Sequence, residues 1–207
     1  MRRKKIPPIL LKKYKHSFEA GCDEAGRGCL AGPVVAAAVM LNLRKTVHPD
    51  IRDSKKKTAQ KRAELFEWIK EHALSYGIGV VTPKEIDKIN ILQASFRAMH
   101  LALDQLDLMP RHILIDGNRF VPYQDIKHTC MVKGDDRFYS IAAASILAKH
   151  YRDTLMKKLH LEFPDYGWDT NKGYPTIAHR EAIIRLDASP HHRRRFKIRD
   201  RQGKLWM

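Results

Sequence analysis

Apolar and polar positions follow two rhythms along this chain. Val34 to Leu41 is apolar throughout, β-branched and Ala-rich, which predicts a buried strand after a Gly-Pro turn. With the segment entering Asp23 it predicts a hairpin. From Thr58 a polar stretch sets Leu65, Trp68 and Ile69 on one face of an amphipathic helix, and Tyr76 to Val81 reads as a short strand. Leu92, Phe96, Met99, Leu103 and Leu106 recur at steps of four and three, the clearest helical stripe, with Pro110 as its stop. Ile113-Leu114-Ile115 predicts a buried strand running into the turn Asp116-Gly117-Asn118. Ser140 to about His160 predicts a second long helix. Ile141, Ala144, Ala148, Tyr151 and Leu155 share its inner face, and Ala142 to Ala144 allow close packing on a sheet. Thr176 to Leu186 gives the last helix. Strands come first and then alternate with helices, so the expected fold is an α/β domain on a mixed sheet. With no repeat, low-complexity tract or Gly/Ser linker, the chain reads as one folded unit.

Composition narrows this picture. At 207 residues with 43% hydrophobic content, the chain suits one globular domain with at most a small extension. Cys22, Cys29 and Cys130 have neither paired nor metal-knuckle spacing, which points to a reducing compartment; Cys22 reads as a small apolar strand residue. The apolar runs are too short to cross a bilayer, and the N-terminus is not patterned as a signal peptide, so a cytoplasmic protein without membrane contact is expected. The formal net charge is +16. Residues 1–15 hold seven Lys or Arg and no acid, and residues 190–207 hold seven against one acid, so the two ends carry +13 of it. Charge runs of this kind are ordinarily solvated tails. Here they are mixed with Ile6, Tyr14, Phe196 and Trp206, which also suits a segment lying across a domain or along a polyanion.

The chemistry gathers where apolar runs end. Cys22-Asp23-Glu24 is followed at once by Ala25-Gly26-Arg27-Gly28, two acids and two glycines in a place that suits no core. Asp116 ends another apolar run, and Asp135 precedes the Ala-rich helix. If the first and later strands are sheet neighbours, Asp23 and Asp116 leave the same edge, where ligand sites of α/β sheets gather. On local sequence alone Asp135 also reads as a helix cap and Asp116 as a turn former. Converging carboxylates repel unless cations sit between them, and all-oxygen ligation suits Mg²⁺ or Mn²⁺, as in two-ion phosphodiester hydrolysis.

Together these segments resemble the bacterial ribonuclease HII family. The matching pieces are Gly21 to Gly28 with Leu30-Ala31-Gly32-Pro33-Val34, then Asp53-Ser54-Lys55-Lys56 and Ile89-Asn90-Ile91-Leu92. They continue with Ile115-Asp116-Gly117-Asn118, Val132-Lys133-Gly134-Asp135, Ser140 to Ile146 with Ala148-Lys149, Gly173-Tyr174-Pro175-Thr176, and His192-Arg193. The resemblance implies an RNase H-like fold, a mixed central sheet flanked by helices with a C-terminal helical segment. Its domain plan would be a basic extension (1–15), a catalytic domain (16–196) and a basic tail (197–207). It implies an endonuclease, expected here as a monomer, that cuts the RNA strand of RNA–DNA hybrids and incises 5′ of ribonucleotides embedded in duplex DNA, leaving 5′-phosphate and 3′-hydroxyl ends. Asp23, Glu24, Asp116 and Asp135 match the family's four catalytic, metal-binding carboxylates, holding two Mn²⁺ or Mg²⁺ ions. Gly26, Arg27 and Gly28 match the element that reads the ribose 2′-hydroxyl, and Tyr174 the residue that packs on the sugar of the following deoxynucleotide. Lys55, Lys56 and Asn90 match positions near the nucleic-acid backbone. Cys29 stands where proline is common in the family, and Asp136 makes a second acid beside Asp135. The sister ribonuclease HIII is a rival, opposed by the short stretch before the first motif. A non-catalytic basic RNA-binding protein is another, but it leaves the four acids without a purpose.

Overall fold

The computed structural model describes residues 11, 14, 18–42, 48–51, 57–199 and 205–206. Its centre is a five-stranded sheet in the order β3-β2-β1-β4-β5. Strands β1 (Glu19–Ala25), β2 (Val34–Leu41) and β3 (Ala73–Val81) form an antiparallel meander, while β4 (His112–Asp116) and β5 (His128–Met131) add in parallel beside β1. The expected hairpin and the parallel pairing of the two acid-bearing strands are both present.

The unbroken apolar run of β2 has a direct reason: both faces of the strand are covered, and all eight residues are buried. Val35, Ala37, Val39 and Leu41 meet α1 (Ala59–His72) and α4 (Tyr139–Glu162) on one side. Val34, Ala36, Ala38 and Met40 meet α3 (Ile91–Leu103) on the other. The short side chains let the helices approach closely. Gly21 on β1 shows how closely, since a Cβ there would lie 2.3 Å from the main-chain nitrogen of Ile141 in α4. That contact brings α4 down onto β1 and aims its next turns at the end of the strand.

Some boundaries differ from the sequence pattern, each for a physical reason. β3 starts three residues early, directly after α1. The striped helix stops at Leu103, well before Pro110; Leu106 still packs partly buried against the same core, beyond the helix end. Asn90 separates α3 from a short helix α2 (Pro83–Ile89) that apolar periodicity did not signal, because only Ile86 of it is buried. Strand β5 was also missed, since three of its four residues are only partly buried. On α4 the inner face is corrected: Tyr151 is 36% exposed, whereas Arg152 and Met156 are fully buried. The helix leaves the sheet at that point and meets a second layer.

That layer is the C-terminal helical part, α5 (Trp168–Asn171) and α6 (Ile177–Leu186), with its own apolar cluster around Leu30, Met156, Tyr166, Trp168 and Ile183. Of the N-terminal extension, Leu11 exchanges main-chain hydrogen bonds with Arg137 and Tyr139, and the ring of Tyr14 stands edge-on to Phe138. At the other end β6 (Ile198–Arg199) and β7 (Leu205–Trp206) pair as a two-stranded ribbon. No helix among the described residues is long and apolar enough to cross a membrane.

Candidate active site

The acids stand where the register puts them. Cys22 on β1 pairs with Ile115 on β4, so Asp23 and Asp116 are the next residues of two adjacent parallel strands, at their carboxyl ends. Strand alternation turns both toward α4, since Cys22 and Ile115 pack on the opposite face. The two acids, Glu24, Gly26, Arg27, Gly28 and Tyr174 line one open cleft of about 300 Å³, together with Ser145 and Lys149 of α4. Six positions singled out from sequence besides Asp23 therefore share one cleft.

Asp135 is placed differently. It is buried in a 3₁₀ turn, Gly134–Asp136, and does not line the cleft. Its turn is tied to the site by the Gly134 N–H, which donates to Asp116 Oδ1 at 2.7 Å. Of the two adjacent acids, Asp135 turns inward and Asp136 is exposed. Asn90 lies elsewhere, exposed and at φ 69°, with its side-chain oxygen accepting from Leu92 and Gln93 N–H as the cap of α3. Lys55 and Lys56 fall outside the described residues.

Electrostatics make the acidic end costly. Burial comes first in pushing the Asp23 carboxyl well above the usual range, and the charges of Glu24 and Asp116 push it further. Glu24 is also raised, chiefly by burial, although Arg27 at 3.1 Å pulls against this. Two like charges about 4 Å apart at an effective dielectric near 20 repel by about 4 kcal/mol. A partly exposed pair such as Arg27–Glu24 returns about 1 kcal/mol at most, so the acids stay under-compensated. Among the described residues no ready-made cluster of three His, Cys, Asp or Glu ligands exists. The carboxylates instead engage the protein: Asp23 Oδ1 accepts the Glu24 N–H at 2.7 Å, Asp116 holds Gly134, and Glu24 holds Arg27. An all-oxygen, mutually repelling set still fits a hard divalent cation, which would offset the repulsion that one arginine leaves.

The other side of the cleft is built from main chain. Gly26 sits at φ 97°, and a Cβ on it would fall 2.0 Å from Nε of Arg152. Gly28 has open space where a Cβ would stand. The fold thus demands glycine at 26, whereas at 28 it leaves room facing the cleft. Two fully buried arginines hold the segment from Arg27 to Pro33 through its carbonyls. Arg152 donates to the carbonyls of Pro33, Ala31 and Lys172 at 2.9–3.0 Å. Arg193 donates to those of Gly32 and Arg27 at 3.0 Å, and burial pulls its guanidinium down to about 10. Arg193 thereby ties the Gly-Arg-Gly loop, and Arg152 the residues that follow it, to distant parts of the chain.

Tyr174 completes the cleft, 39% exposed, with Lys149 Nζ and Arg152 Cζ 5.4 and 5.9 Å from its ring centre. Burial raises its hydroxyl, which also bonds the thiol of Cys29. Sequence reasoning missed Ser145, Lys149, Arg152 and Arg193 as parts of the site. A signal was present, since Ser145, Lys149 and Arg152 recur at helical spacing along one face of α4 beside its apolar stripe. Arg193 counted among the charges of the basic end, although His192-Arg193 also stood among the pieces that match the family.

With the geometry in place, comparison with known proteins is specific. The family model described as Ribonuclease HII matches residues 20–199. A curated Ribonuclease HII from Parabacteroides distasonis is 56% identical over 188 residues, covering 91% of this chain and 94% of that protein. One from Porphyromonas gingivalis is 56% identical over 191 residues, with the same coverage of each. Among solved structures, the ribonuclease H2 of Pyrococcus horikoshii superposes with a TM-score of 0.73 at 28% identity, covering 86% of this chain and 93% of that one.

Proposed function

The chain belongs to the ribonuclease HII family, an RNase H endonuclease acting on nucleic acid, and from that premise we propose that it incises duplex DNA on the 5′ side of an embedded ribonucleotide. The products would carry 5′-phosphate and 3′-hydroxyl ends, and the RNA strand of RNA–DNA hybrids would be cut likewise. The observation that carries this reading is the shared cleft: three adjoining acids, the Gly-Arg-Gly loop and Tyr174 all line it.

The roles follow from what each residue presents. Asp23, Glu24 and Asp116 would hold divalent Mg²⁺ or Mn²⁺, with Asp135 completing the set from its tethered turn. When bound, two such ions supply the Lewis acid that polarises the scissile phosphodiester and activates water. Asp116 is fixed by the Gly134 N–H where it lines the cleft. Gly28, with no side chain in open space, lets a sugar approach the main chain, where N–H and C=O groups can read a 2′-hydroxyl. Arg27 links this reader to the acids through Glu24. The Tyr174 ring gives a flat surface for a deoxyribose, on which an added hydroxyl would be crowded. Lys149 brings positive charge to the same cleft for the phosphate backbone. Lys55, Lys56 and Asn90 would extend that backbone contact.

The test is parallel cleavage of three substrates with and without Mg²⁺ or Mn²⁺: duplex DNA carrying one ribonucleotide, a continuous RNA–DNA hybrid, and plain DNA. We expect metal-dependent cutting of the first two, a single cut 5′ of the lone ribonucleotide, and intact plain DNA. Cutting of plain DNA, or cutting that chelator leaves unchanged, would contradict the reading.

A further inference from the structure

Two buried histidines that the cleavage chemistry does not use form a single network behind Tyr174. His179 is fully buried and His192 is 2% exposed. The indole N–H of Trp168 donates to His179 Nε2 at 3.0 Å, so that nitrogen carries a lone pair and the proton of the neutral ring sits on Nδ1. This proton points at the main-chain carbonyl of Tyr174, 2.9 Å away. The second ring is assigned from its far side. The main-chain N–H of Ser189 donates to His192 Nδ1 at 3.0 Å, and the Ser189 hydroxyl lies 2.9 Å from the same atom. His192 Nδ1 is therefore an acceptor, and its proton is on Nε2, 3.1 Å from His179 Nε2, whose single lone pair it shares with the Trp168 N–H. One protonation pattern satisfies both rings; an imidazolium at either would set donor against donor. Burial lowers the basicity of both rings, that of His192 to about 3, in keeping with this pattern.

The Tyr174 carbonyl is the end point of this relay and also accepts the Thr176 N–H at 2.8 Å across Pro175. Tyr174 thus stands on a tight turn whose main chain is pinned from behind. Thr176 caps α6 and accepts the His179 N–H, so His179 is fixed at its own main chain as well.

We propose that His179 is a positioning residue for ribonucleotide recognition: its Nδ1–H, oriented by Trp168 and His192, clamps the main chain of Tyr174 and so sets where that ring sits in the cleft. The proposal rests on the role given to Tyr174 above. It predicts a loss of discrimination, not a uniform loss of rate. The readout is the ratio of kcat/KM on duplex DNA with one ribonucleotide to kcat/KM on a continuous RNA–DNA hybrid, measured with the full chain. His179→Leu should lower this ratio about 5- to 10-fold, the size expected for one buried hydrogen bond. His179→Asn, whose amide N–H can stand where Nδ1–H stood, should restore most of the ratio even if Trp168 loses its partner and thermal stability falls. Equal losses on both substrates in both variants would reduce His179 to a core residue and overturn the proposal. Nitrogen NMR of the unmodified protein gives a check that needs no variant: protonated Nδ1 on His179 and protonated Nε2 on His192 are expected, and the opposite tautomers would also overturn it. A wild-type protein that fails to cut at the lone ribonucleotide would instead overturn the reading of the site itself.

Discussion

Two halves of one cleft are held in place by opposite means. The acidic half is set by sheet register: Asp23 and Asp116 directly follow paired, buried strand residues, and the parallel pairing of β1 and β4 makes them neighbours. The recognition half is assembled at long range, with Arg193 reaching the carbonyl of Arg27 across 166 residues and Arg152 that of Ala31 across 121. The first half stores repulsion, with the buried Asp23 and the partly buried Glu24 and Asp116 set against one partly exposed arginine. The second half sets buried cations against neutral carbonyls, leaving Arg193 Nη2 unpaired among the described residues, and the result is a fixed main chain. The difference teaches that chemistry here needs charge brought close, whereas recognition needs backbone kept still.

The largest effect should come from the acidic half. Asp116→Asn removes one charge but keeps an oxygen for the Gly134 N–H. Cleavage should fall by about 10³-fold or more, several kcal/mol of transition-state stabilisation at about 1.4 kcal/mol per decade, while duplex binding stays within a few-fold. Single-turnover rates and a binding isotherm check this together, and a variant that cuts at the wild-type rate would remove Asp116 from the site.

The glycines separate the two kinds of constraint within one loop. Gly26→Ala meets both a left-handed backbone and the Arg152 guanidinium, so stability should fall by about 1–3 kcal/mol in denaturant titration. Gly28→Ala has room in the fold and should stay within about 0.5 kcal/mol of the parent. Its penalty should appear instead as weaker cleavage at the lone ribonucleotide. The reverse pattern would mean that Gly28, not Gly26, is the residue the fold requires.

The same contrast explains what could be read in the chain before its fold was known. The sheet and its acid-bearing edge were legible because an unbroken run such as Val34 to Leu41, and one such as Ile113 to Ile115, announce buried strands and where they stop. The helices that start at Thr58 and Thr176 were legible too, whereas α2, with a full capping box at Thr82, was not. Strand β5 was not, since its half-buried residues lack a clean apolar pattern. Arg152 and Arg193 were least legible. A buried arginine looks like a surface one in sequence, and only the tertiary packing shows that its partners are carbonyls. Arg193 lay among charges read as a tail, yet it is in the interior. His179 and His192 were hidden for the same reason, since their meaning lies in each other.

The smallest structural change that bears on the central claim is at Tyr174, whose partly exposed ring can be cut back with little harm to the core. The claim is that the acids cut while the opposite half of the cleft senses the ribonucleotide. It is tested most directly by kcat/KM of Tyr174→Ala on duplex DNA with one ribonucleotide, relative to a continuous RNA–DNA hybrid. We expect the ratio to fall about tenfold, as for loss of one ring contact, with the protein still folded and the hybrid still cut. An unchanged ratio, with both substrates affected alike, would contradict the division of the cleft into a part that cuts and a part that recognises.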